Sequence, residues 1–214
     1  MKNKAVITGD IVRSEFIGLD KRGELLKALQ QVCEELQKFS PMKMEIYRGD
    51  SFQIVMERPE VSLKVATLIR SYLISKTPQG EKNIWDARIS IGIGEIDYVS
   101  TSIVVSDGEA FRLSGRGLDN LDKARMCIST KWDMVNEEVA ASIGFVDYTI
   151  TKLSVNQAQL LYMTDALELS QLEIAARIGK SQQNISKTLI TSLEPLLALY
   201  WEHFEKLINR YNEE

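Results

Sequence analysis

Residues 170–193 read SQLEIAARIGKSQQNISKTLITSL, and this stretch predicts two short helices joined by a tight turn. Ser170 and Glu173 have the spacing of a capping box, in which two free backbone N–H groups at a helix start are satisfied reciprocally. Ala175 is small where the helices would cross, and Gly179, four residues later, permits a left-handed turn. Ser181 is placed to cap the second helix. These offsets together predict a helix-turn-helix unit.

The second of these helices has one apolar and one polar side. Ile185 and Leu189 are four residues apart and point to the same side, so Gln182, Gln183 and Lys187 lie off that side and are expected to face solvent. Glutamine and asparagine amides can read adenine edges, and a lysine can hold a phosphate or guanine. DNA is therefore the expected partner, and a helical hairpin that contacts only protein is the alternative. The candidate DNA-binding residues are Ser181, Gln182, Gln183, Asn184, Lys187 and Thr188.

The net charge of the chain does not by itself favour binding to DNA. The formal net charge is -4, and residues 150–214 contain six basic and eight acidic residues. A monomer would bind DNA weakly, so a homodimer with two recognition helices is expected. An apolar stripe in the last helix fits either intramolecular core or a dimer interface. Its members are Leu197, Tyr200, Trp201, Phe204, Leu207, Ile208 and Tyr211.

Hydrophobic periodicity divides the chain into an α/β part and an all-α part. Up to residue 130 the predicted order is β-α-β-β-α-β-α-β, a ferredoxin-like split βαβ sheet with an added edge strand. Ser106 and Glu109 have capping-box spacing at the start of the last helix of this part. After Trp132 the pattern is helical only. We therefore predict a ferredoxin-like domain over 1–130, a helical connector over 131–153 and a helix-turn-helix domain over 154–214.

Two aspartates mark a candidate ligand site in the α/β part. Asp10 follows the first strand, and Asp50 lies beside Gly49 in a hairpin turn. Neighbouring strands would bring both carboxylates to one end of the sheet, where they could bind Mg²⁺ or Mn²⁺ with the Ile11 carbonyl as a further ligand. The alternative is that each aspartate is an ordinary turn or cap residue. Arg112 and Arg116 share one helix face and suit the phosphates of a nucleotide.

Four segments occur in the order of the motifs of class III nucleotidyl cyclases. They are Gly9-Asp10-Ile11-Val12, Gly49-Asp50-Ser51-Phe52, the strand 88–95 and the helix 108–116. The match spans residues 4–130, and the whole layout resembles the SatD family of bacterial proteins. The resemblance implies that Asp10 and Asp50 bind metal, that Gly49, Arg112 and Arg116 lie at the nucleotide, and that Arg116 is catalytic if the chain is an enzyme.

Three positions depart from the cyclase pattern. Arg112 replaces the ribose-orienting asparagine, Ile46 the purine-reading lysine and Val105 the base-selecting aspartate. Because Ile46 and Val105 cannot hydrogen-bond a base, little cyclase activity with ATP is expected. The preferred hypothesis is a DNA-binding transcription regulator whose cyclase-like domain senses a nucleotide or phosphate. The alternatives are a divergent metal-dependent nucleotidyl cyclase and a protein-interaction scaffold.

Several other classes of protein are excluded or disfavoured by composition. Cys33, Cys127 and His203 are too few and too scattered for a structural zinc site. No apolar stretch approaches the roughly 18 residues of a membrane span. The start of the chain has too short an apolar run for a signal peptide. We expect a cytoplasmic protein with no membrane partner.

Overall fold

The computed structural model describes residues 3–47, 49–98, 103 and 106–212. Its strands are β1 (Lys4–Ile11), β2 (Met42–Tyr47), β3 (Ser51–Met56), β4 (Ala87–Gly94), β5 (Ile96–Tyr98), β6 (Asp107–Gly108) and β7 (Met126–Thr130). Its α-helices are α1 (Leu19–Glu35), α2 (Ser62–Ser75), α3 (Glu109–Asp119), α4 (Asp133–Lys152), α5 (Val155–Asp165), α6 (Gln171–Ile178), α7 (Gln182–Thr191) and α8 (Glu194–Asn212).

The main sheet has the strand order β2-β3-β1-β4-β7. β1 is antiparallel to both β3 and β4, and β7 is parallel to β4. This is the order of a split βαβ sheet with one more strand at an edge. The predicted mixed α/β sheet is therefore confirmed. The short pairing of β5 with β6 is an addition that the sequence does not predict.

The two faces of the sheet are covered by different helices. In β1, Ala5 and Ile7 belong to the large core that includes α1 and α2, whereas Val6 belongs to a smaller core with Phe111 of α3. Successive residues of a strand point to opposite faces, so this alternation buries both sides. α3 lies close to the sheet because Gly92 has no side chain; a Cβ there would overlap the Ala110 carbonyl oxygen.

The start of α3 differs from the prediction. Its N-cap is Gly108, and no side chain caps the helix. The predicted capping box of Ser106 and Glu109 is therefore wrong. The physical reason is that Asp107 and Gly108 are drawn into a strand pairing with β5, which fixes the backbone before the helix begins.

The C-terminal helices share a core with the sheet. Residues of α5 and α8, such as Leu161 and Phe204, lie in the same buried cluster as Ile7 of β1. The Tyr162 hydroxyl also donates a 2.6 Å hydrogen bond to Glu35 of α1. A smaller separate core joins α5, α6 and α7. Because burial is continuous across residue 130, the proposed domain boundaries stay a prediction.

The apolar stripe of α8 is largely core. Its residues Leu197, Trp201, Phe204, Leu207 and Ile208 are all buried in the large cluster. The core interpretation of this stripe is therefore confirmed. Within the described part of the chain, no helix is both long and apolar enough to cross a membrane.

A buried ion cluster joins α2, α4 and the start of β4. Arg70 is fully buried and donates to both carboxylate oxygens of Asp86, at 2.9 and 2.7 Å, and to Asp147 at 2.6 Å. Arg125 donates to Asp86 at 2.8 Å through its side chain and to Asp147 at 2.8 Å through its backbone N–H. Burial alone would lower the pKa of Arg70, but the two carboxylates outweigh it and raise that pKa. The two arginines and two aspartates neutralise one another in a low-dielectric interior.

Candidate functional sites

The two aspartates of the predicted ligand site come to the same end of the sheet. Asp10 is paired with Ser51 of β3 and with Arg88 of β4, and Asp50 lies in the turn that leads into β3. The Ile11 N–H donates to the Asp50 carbonyl at 3.1 Å, which ties the two segments together. Gly49 adopts φ 83°, the left-handed conformation that glycine tolerates and that this turn requires.

Asp10 is engaged by an arginine. Nε of Arg88 donates to one carboxylate oxygen at 2.9 Å, and Nη2 donates to the other at 2.5 Å. These hydrogen bonds raise the pKa of Arg88. A bidentate guanidinium–carboxylate contact is both strong and directional. Arg88 lies within one of the motif segments, but its contact with Asp10 is not predicted from the sequence.

Asp50 is held by a different pair of groups. The Ser14 hydroxyl donates to its Oδ2 at 2.5 Å, and Nη2 of Arg22 lies 3.7 Å from the same oxygen. The backbone turns at Arg13, which has φ 53°, and this turn places Ser14 beside Asp50. A non-glycine residue at positive φ is held there by its surroundings. Ser14 and Arg22 are further site residues that the sequence analysis does not identify.

These side chains, as placed, do not fit a divalent cation. Both oxygens of Asp10 and one oxygen of Asp50 already accept hydrogen bonds from Arg88 and Ser14. No group of three or more histidine, cysteine, aspartate or glutamate residues suited to a metal occurs among the described residues. An incoming Mg²⁺ or Mn²⁺ would have to displace Arg88 first. Ligation by Asp10, Ile11 and Asp50 therefore stays a prediction.

The two arginines of α3 have different surroundings. Arg112 lies 2.9 Å from Asp107 and 3.6 Å from Asp97, both on the β5–β6 pair. α3 runs antiparallel to β4: Ala110 lies against Gly92, whereas Leu121, beyond its end, accepts from Arg88. Arg112 is therefore directed away from the Asp10 end, and this placement gives no support to its predicted role at a phosphate.

Arg116 lies one turn closer to the aspartates than Arg112. It is exposed, and among the described residues it has no ion pair. Ile46 is partly buried and packs against the large core from the edge strand β2. Val105, the third departure from the cyclase pattern, lies outside the described residues.

α6 and α7 have the local geometry that the C-terminal motif predicts. The capping box of Ser170 and Glu173 is present in both directions, and the Ser181 hydroxyl accepts from the N–H of Asn184. Gly179 ends α6 with φ 68°, and the Lys180 N–H returns to the Ala175 carbonyl at 3.0 Å. The small core of the pair includes Ile174, Ala175, Ile185 and Leu189.

α7 presents a polar surface to solvent. Gln182, Gln183, Asn184 and Lys187 are exposed, while Ile185 and Leu189 are buried. An open concavity of about 460 Å³ lies along this helix, lined by Gln171, Gln182, Gln183, Ser186, Lys187, Ile190 and Thr191. Four of these lining residues, Gln171, Ser186, Ile190 and Thr191, are not predicted from the sequence.

Two of the predicted contact residues serve the helix itself. The Ser181 hydroxyl acts as the N-cap, and the Thr188 hydroxyl donates to the Asn184 carbonyl at 2.8 Å. Thr188 is also half-buried. The predicted contact side chains of α7 that remain free to meet a ligand are therefore those of Gln182, Gln183, Asn184 and Lys187.

Comparison with known proteins gives a distant structural similarity only. No family model matches the sequence, and no curated protein matches it. The active GGEEF domain of a diguanylate cyclase from Vibrio cholerae is 18% identical with a TM-score of 0.41, over 59% of this chain and 83% of that one. A bacterial light-regulated adenylyl cyclase is 11% identical with a TM-score of 0.45, over 66% of this chain and 80% of that one. Both TM-scores are low, so neither similarity carries an argument about activity.

Proposed function

We propose that α6, the turn at Gly179 and α7 form a helix-turn-helix that binds DNA, and that the chain is a transcription regulator. The observation that supports this proposal is the surface of α7. The helix is anchored through Ile185 and Leu189, and it exposes Gln182, Gln183 and Lys187 beside an open concavity. A recognition helix has to stand clear of its own domain to enter a major groove about 12 Å wide.

The exposed side chains have complementary tasks in this proposal. The amides of Gln182 and Gln183 can each make paired hydrogen bonds to an adenine edge. Lys187 can pair with a phosphate or a guanine, and no acidic residue from Lys180 to Ser192 opposes it. The first turn of α7 also directs its free N–H groups toward the DNA backbone, which favours phosphate.

The test is selection of bound duplexes from a random-sequence library, followed by binding measurements at several salt concentrations. Lys187→Ala is expected to weaken binding to every duplex and to lower the salt slope by about one. Gln183→Ala is expected to relax the preference at one base pair by about 1–3 kcal/mol. Lys123→Ala, which removes the same charge from an exposed loop before β7, is the matched control. Equal effects of Lys187→Ala and Lys123→Ala on DNA binding would show that α7 does not contact the DNA.

We further propose that the Asp10 end of the sheet binds the phosphate of a nucleotide or a free phosphate, and so acts as a sensor. Arg88, Arg22 and Arg116 lie on the elements around the two aspartates, and guanidinium groups are suited to phosphate oxygens. The SatD-like and cyclase-like motif order agrees with a nucleotide site here. Arg88→Ala should weaken binding of nucleoside triphosphates measured without a divalent cation. Unchanged binding would exclude Arg88 from the phosphate site.

Catalysis by a divergent nucleotidyl cyclase is the second candidate function. The convergence of Asp10 and Asp50 at one end of the sheet, with Arg116 free of described ion pairs, favours it. Against it stand Arg88 on Asp10 and the apolar Ile46 at a base-reading position. Incubation with each nucleoside triphosphate and Mn²⁺ separates the two functions. Cyclic nucleotide formation that Asp10→Ala abolishes would establish the enzyme, and its absence with every triphosphate would favour the sensor.

A further inference from the structure

An apolar surface lies on the outer side of α4 and at the start of α8. It consists of Phe145, Tyr148, Leu193, Leu196 and Leu199, which we call the α4–α8 face. Phe145 is 75% exposed and Leu196 61% exposed, and the other three are also exposed. Part of this face borders a groove of about 420 Å³ between the two helices. Large apolar side chains gathered on one surface mark an interaction site more often than single exposed ones do.

The fold itself does not need these side chains. The inner side of α4 is buried through Val135, Val139 and Ile143, and the inner side of α8 through residues such as Trp201 and Phe204. Phe145 and Tyr148 are three residues apart on the outside of α4, and Leu196 and Leu199 are three apart on the outside of α8. Each helix therefore carries a second apolar stripe, and a helix that is apolar on both sides is normally covered on both.

We propose that a second copy of this chain covers the α4–α8 face in a two-fold dimer. From their exposed fractions, the five side chains present about 600 Å² of apolar surface. A standard protein interface buries about 800 Å² on each partner. The five apolar side chains alone therefore present most of the area that one partner buries in such an interface.

The polar groups on the border of the face pair within one copy. Glu138 lies 3.0 Å from His203, and Glu202 lies 4.0 Å from Lys206 on the exposed border. Two copies related by a two-fold axis can therefore approach without strong like-charge repulsion. A partner with a strong net charge of one sign would gain little from a border whose charges are already paired.

The α4–α8 face is also continuous with α7. Leu193, at φ 59°, connects α7 directly to α8, and the N–H groups of Leu196 and Leu197 both return to its carbonyl. The exposed Ile190 of α7 lies one turn before it. A dimer on this face therefore fixes the separation of the two α7 helices. This consequence rests on the proposed DNA-binding function, whereas the dimer itself does not.

The test is the mass of the full-length protein in solution, measured by sedimentation across a concentration series. The wild-type protein is expected to form dimers. Phe145→Glu and Leu196→Glu are each expected to raise the dimer dissociation constant at least about tenfold, because each places a carboxylate in the apolar centre of the interface. Both positions are exposed in the monomer, so circular dichroism should show an unchanged fold.

The matched control is Phe16→Glu, which makes the same change at a 66% exposed phenylalanine of the α/β part. It should leave the dimer intact. A wild-type protein that stays monomeric at every concentration would overturn the proposal, and so would a dimer that survives both substitutions on the face. Either result would leave the DNA-binding proposal to be decided by its own selection experiment.

Discussion

Replacing Arg70 with methionine tests the buried ion cluster between α2, β4 and α4. Arg70 donates two hydrogen bonds to Asp86, one to Asp147 and one to the Thr151 hydroxyl. In Arg70→Met, Asp86 would keep the Arg125 guanidinium, whereas Asp147 would keep only the Arg125 backbone N–H. One carboxylate charge would then be uncompensated in a buried position. Removing one partner from such a cluster costs about 3–5 kcal/mol of unfolding free energy.

The loss is measurable as a shift in both urea and thermal unfolding. For a chain of this length, 1 kcal/mol corresponds to about 2–4 °C in Tm, so Arg70→Met should lower Tm by roughly 10 °C. Arg58→Met is the matched control, because Arg58 is about half exposed and its hydrogen bond to Glu60 spans 2.8 Å at the surface. That change should cost no more than about 1 kcal/mol.

Equal effects of Arg70→Met and Arg58→Met on unfolding would refute the energetic role of the buried ion cluster. Simple addition of the effects of Arg70→Met and Asp147→Asn in the double variant would refute it as well. Side chains in one buried cluster are coupled, so the double variant should lose clearly less than the sum of the single losses. Additivity would show that Arg70 and Asp147 do not share one interior site.

Three further expectations concern single positions. Gly179→Ala should lower the free energy of unfolding, measured in urea, by about 1 kcal/mol, because φ at this position is 68°. Nothing lies within 4 Å of the added Cβ, so the cost is backbone strain alone. An unchanged urea midpoint would refute the turn geometry. Burial and the nearby Glu194 raise the pKa of Asp165 to about 7. The folded state therefore binds the proton of this carboxyl group more tightly than the unfolded state does. The free energy of unfolding should fall as pH rises from about 4 to about 7. Asp165→Asn should flatten that part of the Tm profile against pH, and an identical profile would contradict the assignment. Burial, together with the charge of Glu34, raises the pKa of the Cys33 thiol to about 12. At neutral pH a thiol reagent should therefore label Cys33 only as urea unfolds the protein. Rapid labelling of the native protein would contradict the burial of Cys33.

The helix caps of α5, α6 and α7 can be predicted because their signals are local. A serine followed three residues later by glutamine or glutamate satisfies backbone groups within a single turn, and both Ser154 and Ser170 do so here. The same pattern fails at Ser106, where pairing with a strand twelve residues earlier takes precedence. Local spacing therefore predicts a helix start unless a tertiary pairing uses the same backbone.

The buried cluster has a weaker trace in the sequence. Arg70 is the single charged residue in the mostly apolar run VATLIRSYLI of residues 65–74, and a charge buried within such a run requires a partner. The run does not identify that partner, because Asp86 is 16 and Asp147 is 77 residues away. Which carboxylate meets Arg70 depends on how α4 lies against α2, and no residue spacing encodes that.

The two candidate sites differ in how much a motif can say about them. The helix-turn-helix candidate lies within 24 consecutive residues, so its caps, turn and exposed side are all fixed by nearby positions. The site at Asp10 is assembled from residues 10, 50 and 88, which are distant in the sequence. The third residue, Arg88, changes which ligand the two aspartates can bind. The cyclase-like motif order predicts that the aspartates bind metal, whereas the register of β1 against β4 places Arg88 on Asp10. An aspartate held by a guanidinium is a poor site for a cation, and the three arginines near the two aspartates, Arg22, Arg88 and Arg116, outnumber those carboxylates, which favours a phosphate. For that site the geometry, and not the motif, favours an anion as the first ligand to test.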